Sequence, residues 1–248
     1  MKTIAAHTGI VVQARMGSTR LPGKVSMPIL GKSPLEWIDH RLRALNLPLV
    51  LATSTGSQDD RLEELGNKLG WPVFRGSETD VLSRFAGAAS ALGLKHVVRI
   101  TADCPLVCAD IIQQGLQLYA TLEQGRTYVS NSLERTYPRG MDMEIFSTEL
   151  LLEAQAKAQH PAEREHVTPY MYTGNTPATY QAQVRHNHNF SQIRLTLDTA
   201  EDLLVITRSM QELLLHECLS YEDMWPRFKG HEALFALNQH VEQKKTGL

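Results

Sequence analysis

No apolar run in the 248 residues approaches the length of a membrane-spanning helix. Basic charge is not in excess either: the formal net charge is -2, which argues against a general nucleic-acid binder. The expected partners therefore include neither nucleic acid nor membrane. Cysteine is scarce and odd in number, with Cys104, Cys108 and Cys218. An odd count in a chain of this size predicts reduced thiols and a cytoplasmic location. Cys104 and Cys108 stand four apart, but no second Cys or His pair at zinc spacing completes a metal site, so they read as small buried thiols. His186 and His188 are given no role. The opening Met1 to His7 is too short for a secretory signal. Ser- or Gly-rich linkers, low-complexity stretches and internal repeats are also missing. These absences predict one domain over residues 1–248, with a core of about 8–215 and a tail of 216–248. The tail carries Tyr221, Trp225 and Phe228 without clear periodicity, and no role is assigned to it.

With 42% hydrophobic and 21% charged residues, what remains is an ordinary globular composition. One stretch stands out. Ile10, Val11 and Val12 form a short apolar run that suits a strand buried on both faces. Arg15, Gly17, Ser18, Arg20, Gly23 and Lys24 follow at once. The glycines permit tight or left-handed backbone, and the three cations have no acid among them. Such a loop at a strand end suits a polyphosphate. It is not the P-loop, because five residues separate Gly17 from Gly23 and Val25 follows Lys24. The dinucleotide glycine fingerprint is absent as well.

Downstream, Ser33-Pro-Leu-Glu36 predicts a capped helix start, with Leu35, Ile38, Leu42 and Leu45 on one face. Leu49 to Thr53 predicts a second strand. Asp59 and Asp60 open a helix that Gly70 stops. Val73-Phe74 predicts a strand, and the next helix presents Leu82, Phe85, Ala89 and Leu92. His96 to Ile100 is a further strand, and a helix with Ile111, Ile112, Leu116 and Tyr119 follows. This alternation predicts an α/β fold with a mainly parallel sheet covered on both faces. Ligands then bind at the carboxyl ends of the strands, where the Arg15–Lys24 loop, Thr53, residues 76–80 and Asp103 all fall. From Thr127 the rhythm changes. Strands are expected at 128–131 and 143–146, a Ser147-capped helix to about His160, and antiparallel strands with one wet face at 180–184 and 193–197. A helix from Thr199 to Leu215 ends the core.

Two acids follow strands: Asp103, in Thr-Ala-Asp-Cys-Pro, and Asp198, after Arg194-Leu-Thr-Leu197. Each reads as a magnesium ligand or as a structural acid. Asp103 suits a turn before Pro105, and Asp198 or Thr199 suits a helix cap. Held close without a metal, the two would repel each other.

Six stretches resemble one family, in that family's order, from about Thr8 to Leu215. They are Gln13 to Lys24, Phe74 to Arg84, Arg99 to Leu106, Tyr137 to Asp142, Glu163 to Tyr170 and Leu197 to Leu203. The chain resembles the spore-coat polysaccharide (SpsF-type) cytidylyltransferases, relatives of the acylneuraminate and 3-deoxy-manno-octulosonate cytidylyltransferases. It departs from their pattern at Ala102, where Gly is common, and at Ala200, where Pro is common. The resemblance implies a three-layer Rossmann-like nucleotide-diphospho-sugar transferase fold, mostly parallel with added antiparallel strands, and a homodimer. It implies that CTP and a small acidic sugar react to give a CMP-sugar and pyrophosphate. Arg15, Arg20 and Lys24, with Gly17 and Ser18, would hold the phosphates. Asp103 and Asp198 would share Mg2+. Ala14, Thr53 and Ser77 are candidates for the base, by resemblance and by their place at strand ends. Arg139, Asp142, Arg164 and His166 are candidates for the sugar, since an Arg binds a carboxylate bidentately. Other readings are an enzyme for another nucleotide, a glycosyltransferase, and a nucleotide-binding scaffold without turnover.

Overall fold

The computed structural model describes residues 5–122, 125–173, 178–217 and 220–243. Cys218 and the first four residues of the Met1 to His7 stretch lie outside the described residues. The apolar run at the start becomes β1 (Thr8–Gln13), buried along nearly its whole length. It pairs in parallel with β2 (Leu49–Ser54) on one side. β3 (Val73–Gly76) adds beyond β2, and β4 (His96–Thr101) flanks β1 on the other side, both in parallel. β5 (Thr127–Ser130) and β6 (Glu144–Ser147) follow, and β6 runs antiparallel to both β4 and β5. β7 (Tyr180–Gln183) lies at the edge, parallel to β5. Among the described residues the sheet has seven strands, in the order β3-β2-β1-β4-β6-β5-β7.

The strand period divides the apolar residues between two faces. Ile10, Val12, Leu51, Val98 and Ile100 pack on one side with α1 (Pro34–Leu42) and α4 (Ala109–Thr121). Val11, Val50, Ala52 and Val97 pack on the other with α3 (Val81–Ala91) and α5 (Thr148–Lys157). A parallel sheet covered on both faces accounts for the continuous apolar runs in β1 and β2. The helix starts follow local chemistry. Ser33 Oγ accepts from Glu36 N at 3.3 Å while Glu36 Oε2 accepts from Ser33 N at 2.8 Å, the reciprocal capping box that the sequence predicted. α2 (Asp60–Leu69) ends at Gly70 with φ 75°, a left-handed cap that glycine adopts without strain.

Several boundaries differ from expectation. α1 stops at Leu42, and Leu45 sits in a 3-10 turn closed by left-handed Asn46. Leu92 caps α3 and is 39% exposed rather than buried. The helix after Ser147 ends at Lys157, because Pro161 cannot continue it. Pro161 instead begins α6 (Pro161–His166), capped by His160, and α7 (Pro169–Tyr172) follows. The expected antiparallel pair at 180–184 and 193–197 does not form. Tyr180–Gln183 pairs in parallel, and residues 193–197 run outside the named strands, joined at Arg139 by a parallel bridge. The alternation there does not mark a wet face, since Arg194 and Thr196 are buried along with Ile193, Leu195 and Leu197.

α8 (Ala200–Glu212) is capped by Thr199, whose side chain accepts from Asp202 N. The tail then packs against the α1–α4 face. It forms α9 (Tyr221–Met224) and α10 (Glu232–Phe235), and Tyr221, Met224, Phe228, Leu234 and Phe235 join the core there.

One glycine fixes how closely the 193–197 segment approaches. Gly140 has φ 95°, and a Cβ on it would lie 2.4 Å from Leu195 C and O and 2.7 Å from Thr196 N. All three are backbone atoms, so relief requires the segment to move. Strained backbone of this kind costs roughly 1–3 kcal/mol before any clash is counted. Gly140→Ala is expected to lower the melting temperature by about 4–8 °C, equivalent to roughly 2 kcal/mol in a chain of this size. Differential scanning calorimetry checks this, and a wild-type melting point would contradict the close approach.

Candidate active site

The chain leaves the sheet at Ala14, whose N–H donates to Ala52 O at 3.2 Å. The loop that follows is folded on itself. Ser18 N and Gly23 N both donate to Met16 O, at 2.8 and 3.3 Å, and Gly23 with φ 71° leads into a 3-10 turn, Lys24–Ser26. Its anchor is Asp59, which is fully buried. Asp59 Oδ1 accepts from Met16 N at 2.7 Å, and Oδ2 accepts from Thr53 Oγ1 and Ser54 N, each at 3.1 Å, and from Ser54 Oγ. One carboxylate thus ties the loop after β1 to the end of β2.

Asp103 and Asp198 meet at the mouth of the sheet. Asp103 follows β4, and its Oδ1 accepts from Thr101 Oγ1 at 2.6 Å. Leu197 N donates to Asp103 O at 2.8 Å, which brings the 193–197 segment alongside. Lys24 Nζ then lies between the acids, 2.8 Å from Asp103 Oδ2 and 2.6 Å from Asp198 Oδ1. Arg20 Nη2 donates to Asp198 Oδ2 at 2.6 Å and Arg194 Nη2 to the same atom at 3.2 Å. The acids therefore do not face each other unpaired, and the repulsion expected between them is replaced by attraction to Lys24. Thr199 caps α8, so Asp198 is not the cap. Burial alone would lower the Lys24 ammonium, but Asp103 and Asp198 raise it above its usual value. Burial would likewise raise the Asp103 carboxyl, and Lys24 with Thr101 brings it below the ordinary carboxylate range.

Two hard carboxylates that already converge on one cation fit a magnesium ion. Among the described residues no group of three or more His, Cys, Asp or Glu side chains could cage a metal. A metal held here would draw the rest of its shell from phosphate and water, which is how magnesium is usually bound.

These groups line a cleft of about 460 Å³. One part is built from Ala14, Arg15, Gly17, Ser18, Arg20 and Lys24 with Asp103 and Asp198. Another comes from β6 and the segments around it: Ser132, Arg135, Asp142, Glu144, Glu165, His166, Thr168 and Tyr172. The Arg15 side chain is 39% exposed and lies 3.9 Å from Glu78.

Four expected site residues do not line the cleft. Thr53 is fully buried and spends its hydroxyl on Asp59. Ser77 is exposed at the end of β3, where its Oγ accepts from Asp80 N at 3.0 Å. Arg139 is half-buried, and its backbone holds the 193–195 segment through Arg139 N to Ile193 O at 2.9 Å and Leu195 N to Arg139 O at 2.7 Å. Arg164 pairs with Asp80 and donates to Gln155 O at 2.6 Å, which ties α6 to the cap of α3. Sequence reasoning missed Arg99 and Glu144, an ion pair in the cleft floor to which Gln13, Tyr128 and Thr168 also bond. It also missed Arg135, which pairs with Asp142 across the cleft wall. A charged residue inside an apolar strand, as in Val98-Arg99-Ile100, was the available signal.

The cytidylyltransferase family model matches residues 9–242. The chain belongs to the cytidylyltransferase family. It is 36% identical over 202 residues to the spore coat polysaccharide biosynthesis protein SpsF of Bacillus subtilis, covering 77% of this chain and 81% of that one. Among solved structures, a cytidylyltransferase from Leptospira borgpetersenii superposes with a TM-score of 0.84 at 34% identity, covering 96% of this chain and 99% of that one. A CMP-2-keto-3-deoxy-manno-octonic acid synthetase solved with CTP superposes with a TM-score of 0.58 at 17% identity, covering 83% and 98%. This cytidylyltransferase is thus a nucleotidyltransferase enzyme with the nucleotide-diphospho-sugar transferase fold. Its mixed sheet is mostly parallel, as the resemblance implied.

In this cytidylyltransferase Asp59 supports the loop from behind. Hydrogen bonds to a charged group contribute about 1.5–3 kcal/mol. Asp59→Asn replaces one acceptor oxygen by a donor and cannot serve all of its donors. The expected result is a KM for the nucleotide raised about tenfold or more, in line with one such bond, together with a lower melting temperature. Unchanged nucleotide KM would show that the loop does not depend on Asp59.

Proposed function

We propose that this protein is a CTP:sugar-acid cytidylyltransferase, using CTP to activate a nonulosonic or ulosonic acid as its CMP-sugar for surface polysaccharide synthesis. The observation that carries the proposal is Lys24 held between Asp103 and Asp198 at the end of the cationic loop. That arrangement supports the reading, because two carboxylates suited to a metal lie directly beside cations suited to phosphate, as nucleotidyl transfer requires. The names of the relatives support CTP as the nucleotide and a polysaccharide destination. The same reading takes the chain as one domain, from its lack of linkers, in the cytoplasm, from its odd cysteine count, and as a homodimer, from the family resemblance.

In this reading Arg15, Arg20 and Lys24 bind the β- and γ-phosphates, with the loop amides near Gly17 and Ser18. Ala14 borders the base. The sugar hydroxyl oxygen forms a bond to the α-phosphorus and gives up its proton to solvent, the bond from that phosphorus to the α–β bridging oxygen breaks, and pyrophosphate leaves with that electron pair. Attacking and leaving oxygens lie roughly in line, so the chain supplies positioning and charge more than covalent chemistry. Asp103 and Asp198 would hold Mg2+, which when bound neutralises phosphate charge and polarises the hydroxyl. Asp142 and His166, with Arg135, border the acceptor.

One observation favours a second reading. Both arginines on the acceptor side already have a carboxylate partner, Arg99 with Glu144 and Arg135 with Asp142. Such a wall also suits a neutral polyhydroxy acceptor, which offers hydroxyls rather than a carboxylate.

Pyrophosphate release measured with each nucleoside triphosphate, against keto-sugar acids and neutral polyols in parallel, separates the readings. The expected outcome is turnover with CTP and a sugar acid. Turnover only with polyols would establish the second reading, and a preference for UTP or GTP would overturn the nucleotide assignment. Lys24→Met should weaken CTP binding about ten- to a hundredfold in calorimetry, the worth of a charge-assisted contact. The same variant should bind Mn2+ more tightly than wild type when no nucleotide is present, because no ammonium has to be displaced from the two acids.

A further inference from the structure

The C-terminal segment does more than cover the core. Asn238 lies at the end of a 3-10 turn, Ala236–Asn238, and is fully buried. Its Nδ2 donates to Arg194 O at 3.0 Å and to Asp202 Oδ1 at 2.8 Å. Both acceptors belong to the residues that hold Asp198. Asp202 Oδ2 accepts from Asp198 N at 3.0 Å and from Thr199 N at 3.1 Å. Arg194 clasps Asp202 through Nε at 2.8 Å and Nη2 at 3.0 Å, and that same Nη2 reaches Asp198 Oδ2. The tail touches this network twice more. Gln243 Oε1 accepts from Arg194 Nη1 at 2.5 Å, and Glu242 O accepts from Arg20 Nη1 at 2.9 Å.

We infer that the C-terminal segment is part of the catalytic apparatus, with Asn238 and Gln243 as positioning residues that set the orientation of Asp198 through Arg194 and Asp202. Arg194 and Asp202 are 4% and 0% exposed, so water cannot take over a bond that either loses. Without Asn238, the Arg194 carbonyl and one Asp202 oxygen each lose a donor. Arg194 is then free to tilt, and Asp198 tilts with it. Tyr221, Met224, Phe228, Leu234 and Phe235 fix the segment in the core, so that its polar end arrives in register with the site. The assignment of Asp198 as a metal ligand comes from the proposed function, and the inference rests on it.

The test compares Asn238→Ala and Gln243→Ala with the wild-type full chain. Residues that orient a metal ligand from behind typically cost about 10–100-fold in metal affinity or activity when removed. Asn238→Ala should lower kcat about tenfold, raise the Mg2+ concentration for half-activation in proportion, and leave the CTP KM nearly unchanged at saturating Mg2+. Mn2+ binding followed by electron paramagnetic resonance should weaken to the same degree, a readout that needs no turnover. Gln243→Ala should shift both metal readouts the same way by less, with an unchanged melting temperature. It keeps the test decisive should Asn238→Ala fail to fold. Wild-type Mn2+ affinity and kcat in Gln243→Ala, or in an Asn238→Ala protein assayed well below its melting point, would overturn the inference. A wrong sugar or nucleotide would show instead in the wild-type pyrophosphate panel, and the Mn2+ comparison does not depend on either. Wild-type protein that binds no Mn2+, with or without a nucleoside triphosphate present, would overturn the metal site itself and the inference with it.

Discussion

The structure turns on one ammonium held between two carboxylates. Lys24, Asp103 and Asp198 come from a loop after β1, a turn after β4 and the start of α8, and none of these is a sequence neighbour of another. Burying unpaired charges of this kind would cost several kcal/mol each. The cluster avoids that cost by balance. Three cations, Arg20, Lys24 and Arg194, face three acids, Asp103, Asp198 and Asp202. The surrounding fold serves to bring them together. The Leu197 N to Asp103 O bond draws the two acidic segments side by side, and Gly140 removes the side chain that would keep the 193–197 segment away.

Balance of this kind also means that each charge has two possible partners. Lys24 and Arg20 can neutralise the acids or bind phosphate, but one ammonium cannot do both fully at once. A divalent cation reaching the acids would release Lys24 toward phosphate, and phosphate reaching Lys24 would leave the acids free for a cation. Coupling between two such binding events is reciprocal by linkage. On the proposed function, selectivity for the metal–nucleotide pair over either alone would follow from charge pairing, with no need for a moving lid.

The sequence made the local rules legible and left the long-range ones hidden. Strands β1 and β2 could be read because buried parallel strands are continuous apolar runs, and helix starts because Ser33, Ser147 and Thr199 carry their own capping chemistry. The convergence of Asp103 and Asp198 was implied by resemblance alone. No local pattern encodes it, since only tertiary packing brings the two together. Thr53 and Arg139 fall away from the cleft for different reasons. A polar residue at a strand end reads as facing a ligand, yet Thr53 turns to Asp59; Arg139 was singled out by resemblance and by its charge, yet its backbone holds the 193–195 segment. The stretch around Arg194 misleads in the opposite way. Its alternating polar residues look solvated but are buried, because Arg194 finds Asp202 eight residues on. The tail is illegible because its helices have only four residues each, too short for any period to show.

The floor of the cleft shows what such buried polarity is for. Arg99 spans from Gln13 to Glu144, and Glu144 also accepts from Tyr128 Oη and Thr168 Oγ1, each at 2.6 Å. Four separate segments meet on that one carboxylate, including the antiparallel β6 and both of its neighbours in the sheet. Replacing a buried ion pair with well-packed apolar residues is often neutral or stabilising, so stability alone does not call for this network. An apolar floor would hold the sheet equally well but would offer the sugar acceptor of the proposed function no direction. A polar floor held by these bonds, with Arg99 Nε buried and unpaired, instead presents donors and acceptors already in place. On the proposed function, hydroxyls of the acceptor would be oriented against it without reorganising the protein as the reaction proceeds.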